Sequence, residues 1–257
     1  MKLEVLISCM HQTDTSIIER SNISSDTLII NQCNKNDYTE FLYKEKYRVR
    51  MISTTERGLS RSRNMAIKNA TGDICLICDD DAEFVESYKT IIEDAYILNP
   101  KADIIAFALI RKNKIFPNKD FRVSYISALK ISSVQISFKR EDVLNKGVLF
   151  DVTMGSGTGN GGGEENKFLY ECLKNKLKIY YQPQVIANVG QSESHWFHGY
   201  TLKYFIDKGW AFKKINGKFI GLLIGVRFTI VKYPLYKEDI NFINALCSII
   251  QGFFQKR

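Results

Sequence analysis

The sequence predicts an α/β protein built on a Rossmann-like, mostly parallel central sheet with helices on both faces. Three observations predict it. Apolar runs of strand length alternate with segments of helical period from Leu3 to Val189, the pattern of βα units. Several of those runs end abruptly in polar or acidic residues, as strands of open α/β sheets do at the edge that binds ligands. The composition, 45% hydrophobic and 25% charged over 257 residues, supplies the core of one large domain, or of a domain with a tail, and excludes wholesale disorder.

The elements follow in order. Leu3–Met10 is apolar and rich in strand formers, and it leads into the polar HQTDTS. A helix begins near Thr15. Asp26–Asn34 and the alternating Tyr47–Ser53 are the next two strands. Leu59–Ala70 has helical spacing and stops at Thr71-Gly72. Asp73–Cys78 is a buried strand that runs straight into Asp79, Asp80 and Asp81; a helix over Val85–Leu98 then ends at Asn99-Pro100. Ala102–Ile110 and Val134–Lys139 read as strands, Glu141–Asn145 as a short helix and Glu164–Asn175 as a stronger one. Lys178–Tyr181 and Gln184–Val189 are late short strands.

The net charge is +8, which suits nucleic acid, an anionic membrane or a phosphorylated substrate. From Thr201 onward ten basic residues face three acids, a net of +7, so the basicity belongs to the last quarter. There Phe219–Tyr236 is mostly apolar but interrupted by Arg227 and Lys232, the composition of a segment that lies on anionic lipid or packs on its own domain. No run of eighteen apolar residues marks a membrane span, and the N-terminus lacks the flanks of a signal peptide. Cys75 and Cys78 form a CxxC, but it sits inside a strand with no second pair and no nearby histidine. Reduced thiols of a cytosolic protein account for it better than zinc.

Two stretches carry chemistry. A strand that ends in three adjacent aspartates, Asp79–Asp81, concentrates repulsion that a cation or solvent must relieve. Hard oxygens there suit Mg²⁺ or Mn²⁺, which in turn bridge diphosphate oxygens. Just upstream, Gly58 provides a turn and Arg61 and Arg63 stand near a helix start, an arrangement suited to a diphosphate. A third stretch, residues 154–166, has six glycines in thirteen residues and contains a literal GxGxxG at Gly157, Gly159 and Gly162. The dinucleotide fingerprint belongs after the first strand, with an acid about twenty residues on. Here the motif is late and Leu177–Gln184 holds no acid, so the glycines read as a mobile loop that lets a ligand approach the backbone.

Taken together, RGLSRSRNMAIKNATGDICLICDDD resembles the N-terminal half of the family 2 glycosyltransferases, and FKREDVLNKGVLFD with the glycines and GEEN resembles their second half. The lengths resemble bacterial enzymes of capsule, exopolysaccharide or O-antigen synthesis. The resemblance spans about Leu3 to Val189. It implies a GT-A fold: a catalytic domain over 1–200, with its nucleotide-sugar half over about 1–110 and its acceptor half over about 111–200, and a basic amphipathic helical extension over 201–257. It implies Mn²⁺ or Mg²⁺, a nucleotide-sugar donor with UDP as the family default, and single-displacement inversion. Asp79 and Asp81 become the outer carboxylates of a DxD motif. Asp81 would hold the metal, Asp79 would contact ribose or metal, and Asp80 would reach the sugar. Ser8, Cys9 and Met10 would border the nucleoside, Arg63 would lie near the nucleotide, and Asn64 would fix the turn. Where the family often has acids after its second strand, this chain has Asn31, Gln32, Cys33 and Asn34, whose amides can still bond a base or ribose. The family's Glu-Asp pair is Glu164-Glu165 here, which makes Glu165 the base candidate and Glu164 its alternative. Gly161, Gly162 and Gly163 would border the acceptor. In QSESHWFHGY, Trp196 suits stacking on a sugar and His195 suits a diphosphate or metal. The implied acceptor is a glycan or a saccharide on polyprenyl diphosphate. The enzyme would then be cytoplasmic, with peripheral contact to the inner face of the inner membrane. The competing readings are a metal-dependent nucleotidyltransferase and a non-enzymatic nucleic-acid binder. No nucleic-acid motif supports the second.

Overall fold

The structure is a computed structural model that describes residues 1–112, 114–190 and 199–255. Its ten strands form one mixed sheet, in the order β3-β4-β2-β1-β5-β9-β7-β10-β6, with β8 paired to β10. The parallel block is β4 (Tyr47–Thr54), β2 (Asp26–Gln32), β1 (Leu3–Met10) and β5 (Ile74–Asp79). Beyond it, β9 (Ile136–Lys139) runs antiparallel between β5 and β7 (Ile104–Ile110), and β10 (Ile179–Val189) returns parallel to β7. The α/β class with flanking helices is as predicted. The sheet is mixed rather than mostly parallel, because β9 and three further strands at its margins pair antiparallel.

Alternation along the strands splits the core in two. Leu3, Val5, Ile7 and Cys9 of β1 point to one face and pack with α1 (Ile17–Arg20) and α3 (Tyr88–Leu98). Leu6 joins Leu28, Ile30, Ile77 and Ile104 on the other face, under α2 (Leu59–Asn69), α5 (Arg140–Asn145) and α6 (Glu164–Lys174). β1, β2 and β5 are thus covered on both sides, which is why they read as near-continuous apolar runs, whereas β4, next to the edge, alternates. A buried ion pair, Arg50 Nη2 to Glu4 Oε1 at 2.5 Å, lies within this block. The same carboxylate accepts the Gly72 N–H at 2.8 Å.

Three strands escape the sequence reading. β3 (Asp37–Tyr43) pairs antiparallel with β4 at the sheet edge, and β6 (Ala82–Phe84) and β8 (Phe121–Arg122) are very short. The two late strands merge into β10, whose register shifts around Pro183, a residue that cannot donate to the ladder. The start of the expected strand at Val134 is a 3-10 turn over Ser133–Gln135, preceded by the short helix α4 (Tyr125–Ala128).

The last quarter forms three helices, α7 (Leu202–Asn216), α8 (Lys218–Tyr236) and α9 (Phe242–Phe254). They share a core of Phe205, Tyr236, Ile240, Ala245 and Ile249. The α7–α9 crossing is close: a Cβ on Gly209 would stand 2.0 Å from the Ile249 carbonyl oxygen, so only glycine fits. A second small cluster, Met154, Trp210, Ala211 and Ile215, fastens α7 to the glycine-rich loop. Among the described residues α8 is the one helix long and apolar enough to cross a membrane by length and composition, with a mean hydropathy of 1.4. It nevertheless buries Gly221, Gly225, Thr229 and Tyr236 within the molecule.

Candidate active site

The C-terminal ends of β1, β2, β5 and β7 open onto a cleft with two connected lobes. The first, about 680 Å³, is lined by Ser8, Cys9, Met10, Gln32, Arg57 and the three aspartates, among others. The second, about 690 Å³, is bounded by the glycine-rich loop, Glu164, Glu165 and one side of α7. Asp79, Arg111 and Ser133 line both.

Arg63 stands where the lobes meet, 3% exposed. The first turns of α2 aim it under the cleft. Its Nη2 donates to Asp79 Oδ1 at 2.7 Å and its Nη1 to Glu164 Oε1 at 2.9 Å, while its guanidinium lies 5.4 Å from the Phe150 ring centroid. Burial opposes its charge, but the Asp79 and Glu164 carboxylates outweigh that and hold its pKa above the ordinary value. One guanidinium therefore ties the end of β5 to the start of α6.

The other oxygen of Asp79 accepts the Ser133 hydroxyl at 2.6 Å. Asp79 is a fixed, half-buried carboxylate, whereas Asp80 and Asp81 are exposed on the rim of the first lobe. Among the described residues no group of three His, Cys, Asp or Glu side chains gathers as a metal cage. A divalent ion bound by one carboxylate and substrate phosphates needs no such cage, and the exposed Asp81 fits that manner of binding.

Glu164 is buried, and its second oxygen accepts the Gly163 N–H at 3.1 Å. The N-terminus of α6 is thus occupied by the chain's own carboxylate, which removes a phosphate cradle from the readings of the glycine-rich loop. Glu165 is half-buried and lines the second lobe. Burial, and then the neighbouring Glu164 carboxylate, push its pKa up to about 7, against the pull of Arg63. Two adjacent glutamates are thereby separated in role: Glu164 is anchored and Glu165 holds its proton near neutrality.

The glycine loop is shaped by close approaches. Gly157 has φ +81°, and a Cβ there would meet the Gly58 Cα at 3.3 Å; at Gly161 a Cβ would come 2.8 Å from the Asp207 carbonyl oxygen of α7. Ser60 Oγ donates to the Met154 carbonyl at 2.8 Å and Leu59 N to the Ser156 carbonyl at 3.0 Å. The loop is thus a spacer that brings α2, α6 and α7 around one cavity. Gly161, Gly162 and Gly163 line its second lobe.

Other expected residues are near the cleft without facing it. Asn64 is buried, its amide exchanging two hydrogen bonds with the Phe150 backbone at 2.7 and 2.9 Å. Asn31 clamps the Gln12 backbone, accepting from its N–H at 2.9 Å and donating to its carbonyl at 2.8 Å. It is the next residue, Gln32, that lines the first lobe, with its Oε1 accepting the Gly58 N–H at 2.7 Å. The pleat decides this: adjacent side chains of β2 face opposite ways. Burial raises the Cys9 thiol to about 12, which leaves it an inert wall. His195 and Trp196 lie outside the described residues.

Arg57, Arg111, Ser133, Tyr204 and Lys208 also line the cleft, and the sequence reading did not single them out. A signal existed for Arg111. It follows β7 directly, at the strand end where such sheets bind ligands.

The fold is similar to that of S. aureus TarS 1–349 in complex with UDP-GlcNAc, with 14% identity and a TM-score of 0.66, covering 98% of this chain and 82% of that one. It is also similar to the mannosyltransferase PcManGT from Pyrobaculum calidifontis in complex with GDP-Man and Mn²⁺, with 12% identity and a TM-score of 0.56, covering 98% and 73%. These likenesses establish the fold, that of GT-A glycosyltransferases. A search of curated proteins gives no match. The model of the family "Glycosyl transferase family 2" matches residues 8–157, from the end of β1 through the aspartates to the glycine-rich loop. That span is more than half of the sequence, and the chain belongs to glycosyl transferase family 2.

Proposed function

We propose that this protein is a metal-dependent, inverting glycosyltransferase that moves a sugar from a UDP-sugar to a hydroxyl of a glycan or lipid-linked saccharide in bacterial surface polysaccharide synthesis. The observation that carries this reading is the two-lobed cleft. Exposed carboxylates stand on one lobe, and a carboxyl poised near neutrality stands on the other. The TarS structure with UDP-GlcNAc supports a UDP-sugar, although PcManGT was solved with GDP-Man.

Asp81 would hold Mg²⁺ or Mn²⁺ against the diphosphate, and the ion would supply positive charge for the leaving group. Asp79, already engaged by Arg63 and Ser133, serves to position the strand end rather than to ligate. Ser8, Cys9, Met10 and Gln32 border the nucleoside. Glu165 takes the proton of the acceptor hydroxyl. As the new bond forms between that oxygen and the anomeric carbon, the bond from the anomeric carbon to the phosphate oxygen breaks, and its electron pair leaves with the nucleoside diphosphate. Attack from the face opposite the leaving group inverts the anomeric centre.

The division into a catalytic part over 1–200 and an extension over 201–257 belongs to the same proposal, as does contact with the inner face of the membrane. Phe219, Ile220, Leu223, Ile230, Val231 and Leu235 of α8 are exposed beside Lys218, Arg227 and Lys232, a combination that suits anionic lipid. The test of the donor site is calorimetric titration of UDP with Mn²⁺, then with EDTA, beside Asp81→Ala. Binding that needs both the ion and Asp81 supports the reading. Binding of no nucleoside diphosphate under any condition overturns it.

A further inference from the structure

The second lobe of the cleft is walled by α7, which lies outside the span matched by the family model. Its capping residue Thr201 and its Lys203, Tyr204, Asp207 and Lys208 line the lobe with the glycine-rich loop and Glu165. The wall is fixed in place. Gly161 lies against the Asp207 backbone, and Met154 packs with Trp210, Ala211 and Ile215.

The charges of this lobe do not all cancel locally. Arg63 is engaged by Asp79 and Glu164, and Lys203 by Asp207 at 2.6 Å. Arg111 and Lys208 make no ion pair among the described residues. Lys208 is half-buried with its Nζ 5.6 Å from the Tyr204 ring centroid. Burial lowers its pKa while Glu165, Glu164 and Asp207 pull it back up. A partly desolvated ammonium beside an aromatic ring, in a cavity with a second cation, is equipped for an anionic oxygen group.

We infer that α7 completes the acceptor subsite, and that Lys208, with Arg111 across the lobe, binds an anionic group on the acceptor next to the hydroxyl that faces Glu165. The group is a phosphate ester or a sugar carboxylate, and Tyr204 offers its ring to the adjoining saccharide. This inference rests on the glycosyltransferase reading and narrows its acceptor to an acidic one.

Lysine reactivity tests it without a known acceptor. The purified protein, with UDP and Mg²⁺, is reductively methylated in the presence of glucose, glucuronate or glucose 1-phosphate at matched ionic strength. Modification of Lys208 is read by mass spectrometry against Lys89, which lies on α3 away from the cleft. An anionic probe at about four times its dissociation constant should slow Lys208 methylation about fivefold, with glucose inert and Lys89 unchanged. Which anion protects separates the phosphate source from the carboxylate source. Arg111→Ala should weaken that protection. No protection by either anion, or equal protection by glucose, overturns the inference. Calorimetry of UDP on the same preparation keeps the two failures apart. UDP bound with Lys208 unprotected removes the acidic acceptor alone, whereas no UDP binding removes the donor reading itself.

Discussion

The two lobes of the cleft are held by different means. The first is made from ends of strands whose other residues are core. Asp79 cannot move without breaking its bonds to Arg63 and Ser133, and Ser8 is hydrogen-bonded to Ser62 at 2.9 Å. The second is made from a loop with four left-handed glycines, at Gly155, Gly157, Gly159 and Gly163, and from a helix that belongs to a separate small core. The difference teaches where variation is tolerated. A group common to all donors, the diphosphate, can be met by a preorganised strand edge. A variable acceptor is better met by a wall that can be exchanged without disturbing the sheet.

The largest effect should come from Arg63, which ties Asp79 at the strand end to Glu164 in the second lobe. Arg63→Met leaves the buried Glu164 and the half-buried Asp79 without their cation, and the expected loss is about 3–5 kcal/mol of stability, read by urea denaturation. A loss under about 1 kcal/mol would mean that the lobes are not joined through this guanidinium. Next, Glu165→Gln should cut kcat by about 10²–10⁴-fold with UDP affinity unchanged, whereas Glu164→Gln should cost stability as well, because it loosens Arg63. Equal effects on kcat and stability from both substitutions would erase the distinction between the two glutamates.

The pH dependence sharpens the same contrast. Glu165 must be ionised to accept a proton, so kcat/KM should climb about tenfold per pH unit up to about 7 and then level. The stability sign is opposite. Between 4.5 and about 7 the folded protein keeps a proton that the unfolded chain has released, so stability falls as pH rises through that window. Glu165→Gln should flatten both curves. The smallest effect is expected on the exchangeable wall. Gly161→Ala places a methyl 2.8 Å from the Asp207 carbonyl oxygen and should cost about 1–3 kcal/mol while leaving UDP binding intact.

The first lobe was largely legible in the sequence because a buried parallel strand is a continuous apolar run, and its abrupt end in Asp79–Asp81 marks a ligand edge. The roles within it were less legible. Nothing in the local pattern shows that Asn31 faces the Gln12 backbone while Gln32 faces the cavity, since that depends on the phase of the pleat. Nor does it show that Arg63 reaches Glu164, a hundred and one residues away. β3 escaped because it is an edge strand mostly exposed to solvent, with no alternation of burial, and its turn puts Lys44 and Glu45 at φ 50° and 54° without a glycine or asparagine to announce it. The second lobe was half legible. The glycines and the two glutamates stood out, but Tyr204 and Lys208 are ordinary residues of an amphipathic helix. They join the cleft through tertiary packing, of Met154 on Trp210 and of Gly161 on the Asp207 backbone.

The glycine crossing of α7 on α9 also orders events in time. Chains emerge from the ribosome N-terminus first, and β1 through β5 can pair as soon as they are made. The wall of the second lobe cannot, because Phe205 of α7 is buried against Ala245 and Ile249 of α9 across that crossing. A nascent chain therefore has the strand that carries its aspartates well before it has a complete second lobe, and the thirteen-residue helix Phe242–Phe254 acts as the latch that closes it.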